Sequence, residues 1–259
     1  MKTIVTIGPA SKDLKTLKKL QKLKVDCFRI NLSHCDEKQI SEYFDLFNTA
    51  NIVPALDTQG AQARLLCKKN NLFFDENENL IIFFDRKDYE KNSSAKDVLC
   101  SVKTLFNDIK VGENIRCDFG ELLLKTDSLD NNLLRVKCKV KVKGELYNNR
   151  ALDFPNNIKT LPAITELDKF ALQKGNEKGI NTVFLSFASS EKDVINLRKL
   201  INNDIQVISK IESRKGLRNL EEIVESSDGI LIDRGDLSRE ISIGMVPYAV
   251  DTILNHCLK

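Results

Sequence analysis

Lys210 and Glu212 stand two residues apart in the stretch QVISKIES, residues 206–213, behind the apolar pair Val207 and Ile208. Side chains two apart on a strand point the same way, and unpaired charge is costly to bury. The pair is therefore either a structural ion pair at a strand end or part of a site. Other strand-like segments end in the same polar manner: Arg29, Asn31 and Ser33 on one face of an earlier strand, Asp57 and Thr58 after another, Ser186 after a third, and Asp236 just beyond the last. Carboxylates set among neutral oxygens suit Mg²⁺, which keeps part of its shell for water and phosphate. Arg and Lys beside them suit a phosphoryl group, whose transfer depends on positioning and charge neutralisation. On this reading Lys210 faces developing phosphoryl charge while Glu212 holds a metal ion, each offsetting the other's burial. Charged groups gathered from five strand ends favour a site over a lone ion pair.

Those residues need a scaffold that brings strand ends together. The first sixty residues read as βαβαβ: TIVTIG, a helix over LKTLKKLQKL, VDCFRINLS, a helix over DEKQISEYFDLF, then NIVPALDT. From about Leu65 the texture turns to short strands and polar turns. In LLRVKCKVKVKG, Val136, Cys138, Val140 and Val142 alternate with basic residues, the pattern of a half-buried antiparallel strand. Its basic face reads as edge protection, with phosphate or nucleic-acid binding as the alternative. After LPAITELDKF, where Thr165 and Asp168 are spaced as a capping box, strands TVFLSF, QVISKIE and GILID alternate with helices again. The expectation is an α/β fold of six βα units bracketing an all-β insert: residues 1–64 and 156–259 form the first, 65–155 the second. In parallel α/β folds, function gathers at the carboxyl ends of the strands, where the polar residues lie.

Composition narrows the function. With 40 Lys+Arg against 37 Asp+Glu in 259 residues, the net charge of +3 argues against a dedicated nucleic-acid or membrane-surface protein. Seven Cys, at 27, 35, 67, 100, 117, 138 and 257, without a C-x-x-C pair read as reduced thiols of a cytoplasmic protein. The N-terminus lacks the pattern of a signal peptide, and no run reaches the roughly 18 apolar residues of a membrane span. There is no Walker A motif, and the DFG at Asp118–Gly120 lacks the other kinase signatures. His34, between a strand and a helix, reads as a local hydrogen-bonding residue.

The stretches TIVTIGPAS, FRINLSH, ALDTQG followed by Arg64, LPAITELD, VISKIE and SSDGILIDRGDLSREI resemble the pyruvate kinase family in order and separation. The resemblance implies a TIM (β/α)8-type barrel, here incomplete with six βα units, whose third βα connection carries a small β-barrel-like lid domain. It implies transfer of the phosphoryl group of phosphoenolpyruvate to ADP in glycolysis, giving pyruvate and ATP. Carried over by position, Arg29 and Lys210 contact the phosphoryl groups, Lys210 stabilising the one in transfer. Gly235 and Asp236 contact substrate, and Arg64 and Arg150 reach nucleotide phosphates. Glu212 and Asp236 ligate Mg²⁺ or Mn²⁺, while Asn31, Ser33, Asp57 and Thr58 form a monovalent-cation site for K⁺.

The chain also departs from the family pattern. DTKGPEIR becomes DTQGAQAR, so that Gln59, Ala61 and Gln62 replace a Lys, a Pro and a Glu, and DDG becomes Asp118, Phe119, Gly120. ARGDLGVE becomes DRGDLSRE, so Asp233, Ser238 and Arg239 replace small or apolar residues. Two barrel units of the family are unmatched, so the expectation includes a homo-oligomer or a partner chain that completes the barrel. A second functional class stays open: a catalytically impaired homologue that binds a phosphometabolite or regulates an enzyme.

Overall fold

The computed structural model describes residues 2–60, 62–117, 122–154 and 161–258. The chain divides into two compact units, one formed by Met1–Ala61 with Pro162–Lys259, the other by Gln62–Leu161.

The first unit begins with β1 (Ile4–Thr6), α1 (Leu14–Lys22), β2 (Cys27–Asn31), α2 (Glu37–Ala50) and β3 (Pro54–Asp57). Asp13 and Asp36 cap the two helices, Asp36 in a reciprocal capping box with Gln39. Of the leucines in LKTLKKLQKL, Leu17 is fully buried in α1, but Leu23 lies just past the helix end and is exposed. The segment after β2 is a 3₁₀ turn over Leu32–His34. Ser33 therefore leaves the strand face shared by Arg29 and Asn31, because strand alternation stops at Asn31.

The second unit holds β4 (Arg64–Cys67), β5 (Asn71–Phe74), β6 (Asn79–Phe83), α3 (Arg86–Asn92), β7 (Val98–Cys100), β8 (Asn114–Cys117), β9 (Leu122–Asp130), β10 (Arg135–Val142), β11 (Gly144–Tyr147) and β12 (Arg150–Asp153). Seven of these strands close a barrel in the order β10-β6-β7-β4-β12-β8-β9, and β11 pairs with β5. Val136, Cys138 and Val140 point into its core as their alternation predicts. Val142 does not; the β9–β10 register slips between Val140 and Val142, and that side chain is exposed. Asp118, Phe119 and Gly120 lie outside the described residues.

The chain then returns to the first unit with α4 (Glu166–Lys178), β13 (Thr182–Leu185), α5 (Glu191–Arg198), β14 (Gln206–Ile211), α6 (Arg214–Arg218), α7 (Leu220–Ser226), β15 (Gly229–Ile232), α8 (Arg234–Glu240) and α9 (Val246–Cys257). The capping box at Thr165 and Asp168 forms as expected. The helical segment after β14 is broken at Asn219 into α6 and α7, and RGDLSREI forms the helix α8.

All six strands of this unit run parallel in the order β1-β2-β3-β13-β14-β15. The parallel strands demand crossovers, and the helices supply them. This is the α/β architecture of an incomplete (β/α)8 barrel, its sheet curled. One apolar cluster, including Ile30, Leu56, Val183, Leu185, Val207 and Ile211, packs the sheet against its helices. Because the strands pair in register, Asn31 lies beside Asp57 and Asp57 beside Phe184, while Leu185 neighbours Ser209 and Lys210 neighbours Leu231. The polar strand ends thus form a row. Among the described residues, no helix is long and apolar enough to cross a membrane.

Candidate functional site

Lys210, near the end of β14, is 6% exposed, and its ammonium is ringed by carboxylates from three strand ends. Glu212 Oε1 lies at 2.9 Å, Asp57 Oδ1 at 3.3 Å and Asp233 Oδ2 at 3.6 Å. The Ser186 hydroxyl accepts a hydrogen bond from Lys210 Nζ at 3.3 Å. Burial opposes the charge on Lys210, but the surrounding carboxylates, Glu212 foremost, outweigh it and raise the ammonium above its ordinary value. The alternation of the sequence thus places Lys210 beside Glu212, and the fold adds partners from distant segments.

Glu212 is fully buried. Its Oε2 accepts the Phe187 backbone N–H at 2.6 Å. Phe187 has φ of 53°, a left-handed conformation that a bulky residue adopts only when its surroundings compel it. Oε1 faces Lys210 as an ion-pair partner without an aligned hydrogen bond. Burial pushes the Glu212 carboxyl up to about 7, with Lys210 and the Phe187 N–H pulling it down.

Asp57, 1% exposed, links Lys210 to Arg29, whose Nη1 lies 3.2 Å from Asp57 Oδ2. Arg29 Nε also donates to Thr6 Oγ1 at 2.9 Å, and the guanidinium stands 5.5 Å from the centre of the Phe184 ring. Ser186 Oγ lies 3.1 Å from Asp57 Oδ1 and 2.7 Å from the Thr58 carbonyl, acceptors that share its single proton. Thr58 Oγ1 accepts the Ser186 N–H at 3.0 Å, and Asn31 Oδ1 accepts the Ser33 N–H at 3.0 Å. Gly60, at φ of +71°, brings the loop after β3 so close to Ser186 that an added Cβ would meet the Ser186 carbonyl oxygen at 2.6 Å. Gln59 braces the same loop: its N–H donates to Asp168, its side-chain amide to the Leu32 carbonyl, and its Oε1 accepts from Thr165.

Asp236 lies in the first turn of α8, and Gly235 precedes it. Among the described residues, one oxygen each from Glu212, Asp233 and Asp236 lie within 4.8 Å of one another. Arg239 Nη1 pairs with Asp236 Oδ1 at 3.1 Å. Among the described residues, the carboxylates of Asp57, Glu212, Asp233 and Asp236 and the cations of Arg29, Lys210 and Arg239 thus gather at this end of the sheet, with hard oxygen donors beside a fixed ammonium. Such a set can hold a divalent cation and an anionic oxygen side by side.

The sequence expectation brought Lys210, Glu212, Asp57, Arg29 and Asp236 together, and they are together. Arg64 and Arg150 belong to the second unit. They sit on the paired strands β4 and β12, with Arg64 Nη1 donating to the Asn149 carbonyl at 2.9 Å and the Arg150 guanidinium 5.6 Å from the Tyr147 ring centre. Sequence reasoning placed Ser186 at a strand end but gave it no specific role, and it marked Asp233 only as a charge where the family pattern has a small residue. The Phe187 N–H carried no signal.

The family model described as pyruvate kinase, barrel domain, matches residues 1–259. The pyruvate kinase of Staphylococcus saprophyticus is 30% identical over 269 residues, covering 100% of this chain and 45% of its own length. Those of Staphylococcus aureus (strain MRSA252) and Staphylococcus haemolyticus are each 29% identical, with the same coverage. The chain thus spans 45% of the length of these curated relatives. The match over residues 1–259, together with the row of charged strand ends, establishes that the chain belongs to the pyruvate kinase family through its barrel domain.

Proposed function

We propose that the first unit carries the centre of a pyruvate kinase-like phosphotransferase, which moves the phosphoryl group of phosphoenolpyruvate to ADP and gives pyruvate and ATP in cytoplasmic glycolysis. The observation that carries this proposal is the Lys210 ammonium, nearly buried and fixed by Asp57, Glu212 and Asp233. A fixed point charge needs no reorganisation when phosphoryl charge develops, which is where electrostatic catalysis gains most. Lys210 and Arg29 would neutralise the phosphoryl oxygens, while Asp57 holds both cations in place. Gly235 and Asp236 would contact substrate at the start of α8. Arg64 and Arg150 would meet nucleotide phosphates.

Glu212 and Asp236 fit Mg²⁺ or Mn²⁺, because Glu212 Oε1 is a buried carboxylate oxygen without an aligned donor, fixed through its partner oxygen by Phe187. When bound, the ion would neutralise phosphoryl oxygens alongside Lys210. The K⁺ set fits less well. The Asp57 charge already faces two protein cations, and Asn31 and Thr58 each accept a backbone N–H; no proposed step uses K⁺. Among the described residues the outer strands β1 and β15 pair on one side only, and a second copy or partner chain covering these edges belongs to the same proposal.

The test is phosphorus NMR of the chain with Mg²⁺, phosphoenolpyruvate and ADP: ATP should form, and Lys210→Arg should abolish its formation. A second reading, a phosphometabolite-binding homologue without turnover, is favoured by the Asp233 carboxylate that engages Lys210. It predicts no ATP but calorimetric binding of phosphoenolpyruvate that Lys210→Arg weakens. Absence of both turnover and binding rejects both.

A further inference from the structure

Asp233 divides its carboxylate between two tasks. It caps α8, its side chain accepting the Asp236 N–H at 3.5 Å through Oδ1, while Oδ2 faces Lys210 at 3.6 Å. Of the three carboxylates on that ammonium, Asp57 and Glu212 have side chains 1% and 0% exposed, whereas the Asp233 side chain is 34% exposed. The Asp233 contact is both the longest and the wettest, so it is the least costly to break. The same carboxylate lies within 4.8 Å of the candidate ligand oxygens of Glu212 and Asp236. It can therefore serve either Lys210 or a divalent ion. While it stays on Lys210 it competes with any phosphoryl oxygen for that charge, at a strand-end row where carboxylates already outnumber cations.

We propose that Asp233 is a positioning residue that couples divalent-cation binding to phosphoryl-group binding: as third carboxylate of the ion site it turns from Lys210 to the ion and uncovers the ammonium. The inference rests on the metal reading of Glu212 and Asp236. It makes the two ligands mutually reinforcing, because a coupling free energy acts equally in both directions. It also makes the charge at position 233 useful, where at first sight it only opposes an anionic substrate.

The test is calorimetric titration of the chain with Mn²⁺ and with phosphoenolpyruvate, each alone and in the presence of the other, for the wild type, Asp233→Asn and Glu212→Gln. Asn keeps a capping oxygen for α8 and removes the charge. Asp233→Asn should weaken Mn²⁺ binding by about tenfold, tighten phosphoenolpyruvate binding in the absence of metal by a few-fold, and bring the coupling factor, expected at about 5- to 150-fold in the wild type as is usual for coupled sites, down toward unity. Unchanged Mn²⁺ affinity and coupling in Asp233→Asn, with Mn²⁺ binding lost in Glu212→Gln, would overturn the role of Asp233 and leave the metal reading standing. Absence of Mn²⁺ binding in the wild type, or equal Mn²⁺ affinity in all three proteins, would overturn both.

Discussion

The Lys210 ammonium and the Glu212 carboxylate lie 2.9 Å apart at the end of β14, with side chains 7% and 0% exposed. Neither charge would be tolerated there alone, since an isolated ion in such surroundings costs several kcal/mol to desolvate. Asp57 and Asp233 complete the surroundings of the cation, and the Phe187 N–H those of the anion. The strand end is thus an electrostatic unit in which removing one member affects all the others.

Removal of the cation should be felt by the whole fold. Lys210 is buried between two buried carboxylates, which would lose their counter-charge. Lys210→Met should destabilise the chain by about 3 kcal/mol, whereas Lys210→Arg, which keeps the charge, should lose less than half as much. Urea denaturation of the three proteins measures both; equal stability of Lys210→Met and wild type would mean that the carboxylates need no counter-charge.

Gly60 offers a test of the loop that carries Asp57 toward the site. Its φ of +71° and the 2.6 Å approach of an added Cβ to the Ser186 carbonyl oxygen leave no room for a side chain. Gly60→Ala should cost about 2 kcal/mol or more through the backbone conformation and the clash. Gly112, also at positive φ but with nothing within 4 Å of an added Cβ, should lose less when changed to Ala. A reversed order in thermal melts would contradict the tight approach.

In the second unit, Asp88 receives both Arg135 Nε and Nη2 at 2.6 Å. The Arg135 guanidinium holds the Asp88 carboxyl below its ordinary value of 3.8. A depressed folded value means that the unfolded chain binds the proton more tightly, so the stabilisation is fully present above about pH 4 and is lost as pH falls through the lower folded value. Asp88→Asn should therefore cost about 1 kcal/mol near neutrality, with the difference from wild type vanishing in acid. A difference that grows as pH falls would reverse the sign and reject the pairing.

Much of this arrangement was legible before any coordinates. Period-two alternation placed Lys210 and Glu212 on one face, and the βα rhythm put Arg29, Asp57, Ser186 and Asp236 at strand ends. The helix α8 was not legible, because RGDLSREI is short, charged and contains a glycine, which masks helical periodicity. The break at Asn219 depends on how two short helices pack, and the 3₁₀ turn that redirects Ser33 is likewise a local choice. Partners such as Asp57 for Lys210 are set by strand order, which alternation within one strand cannot reveal. The charge at Asp233 was visible as a departure from the family pattern, but its distance to Lys210 came only from the fold.

The central claim is that a divalent cation held by Glu212 and Asp236 and a phosphoryl group held by Lys210 share one end of the sheet. Paramagnetic relaxation of the phosphorus signal of phosphoenolpyruvate by Mn²⁺ on the chain measures this directly. The wild type should broaden that signal strongly beyond the effect of Mn²⁺ in buffer, and Glu212→Gln should abolish the enhancement. Phosphoenolpyruvate that binds without enhanced relaxation, or enhancement that survives unchanged in Glu212→Gln, would contradict a shared site.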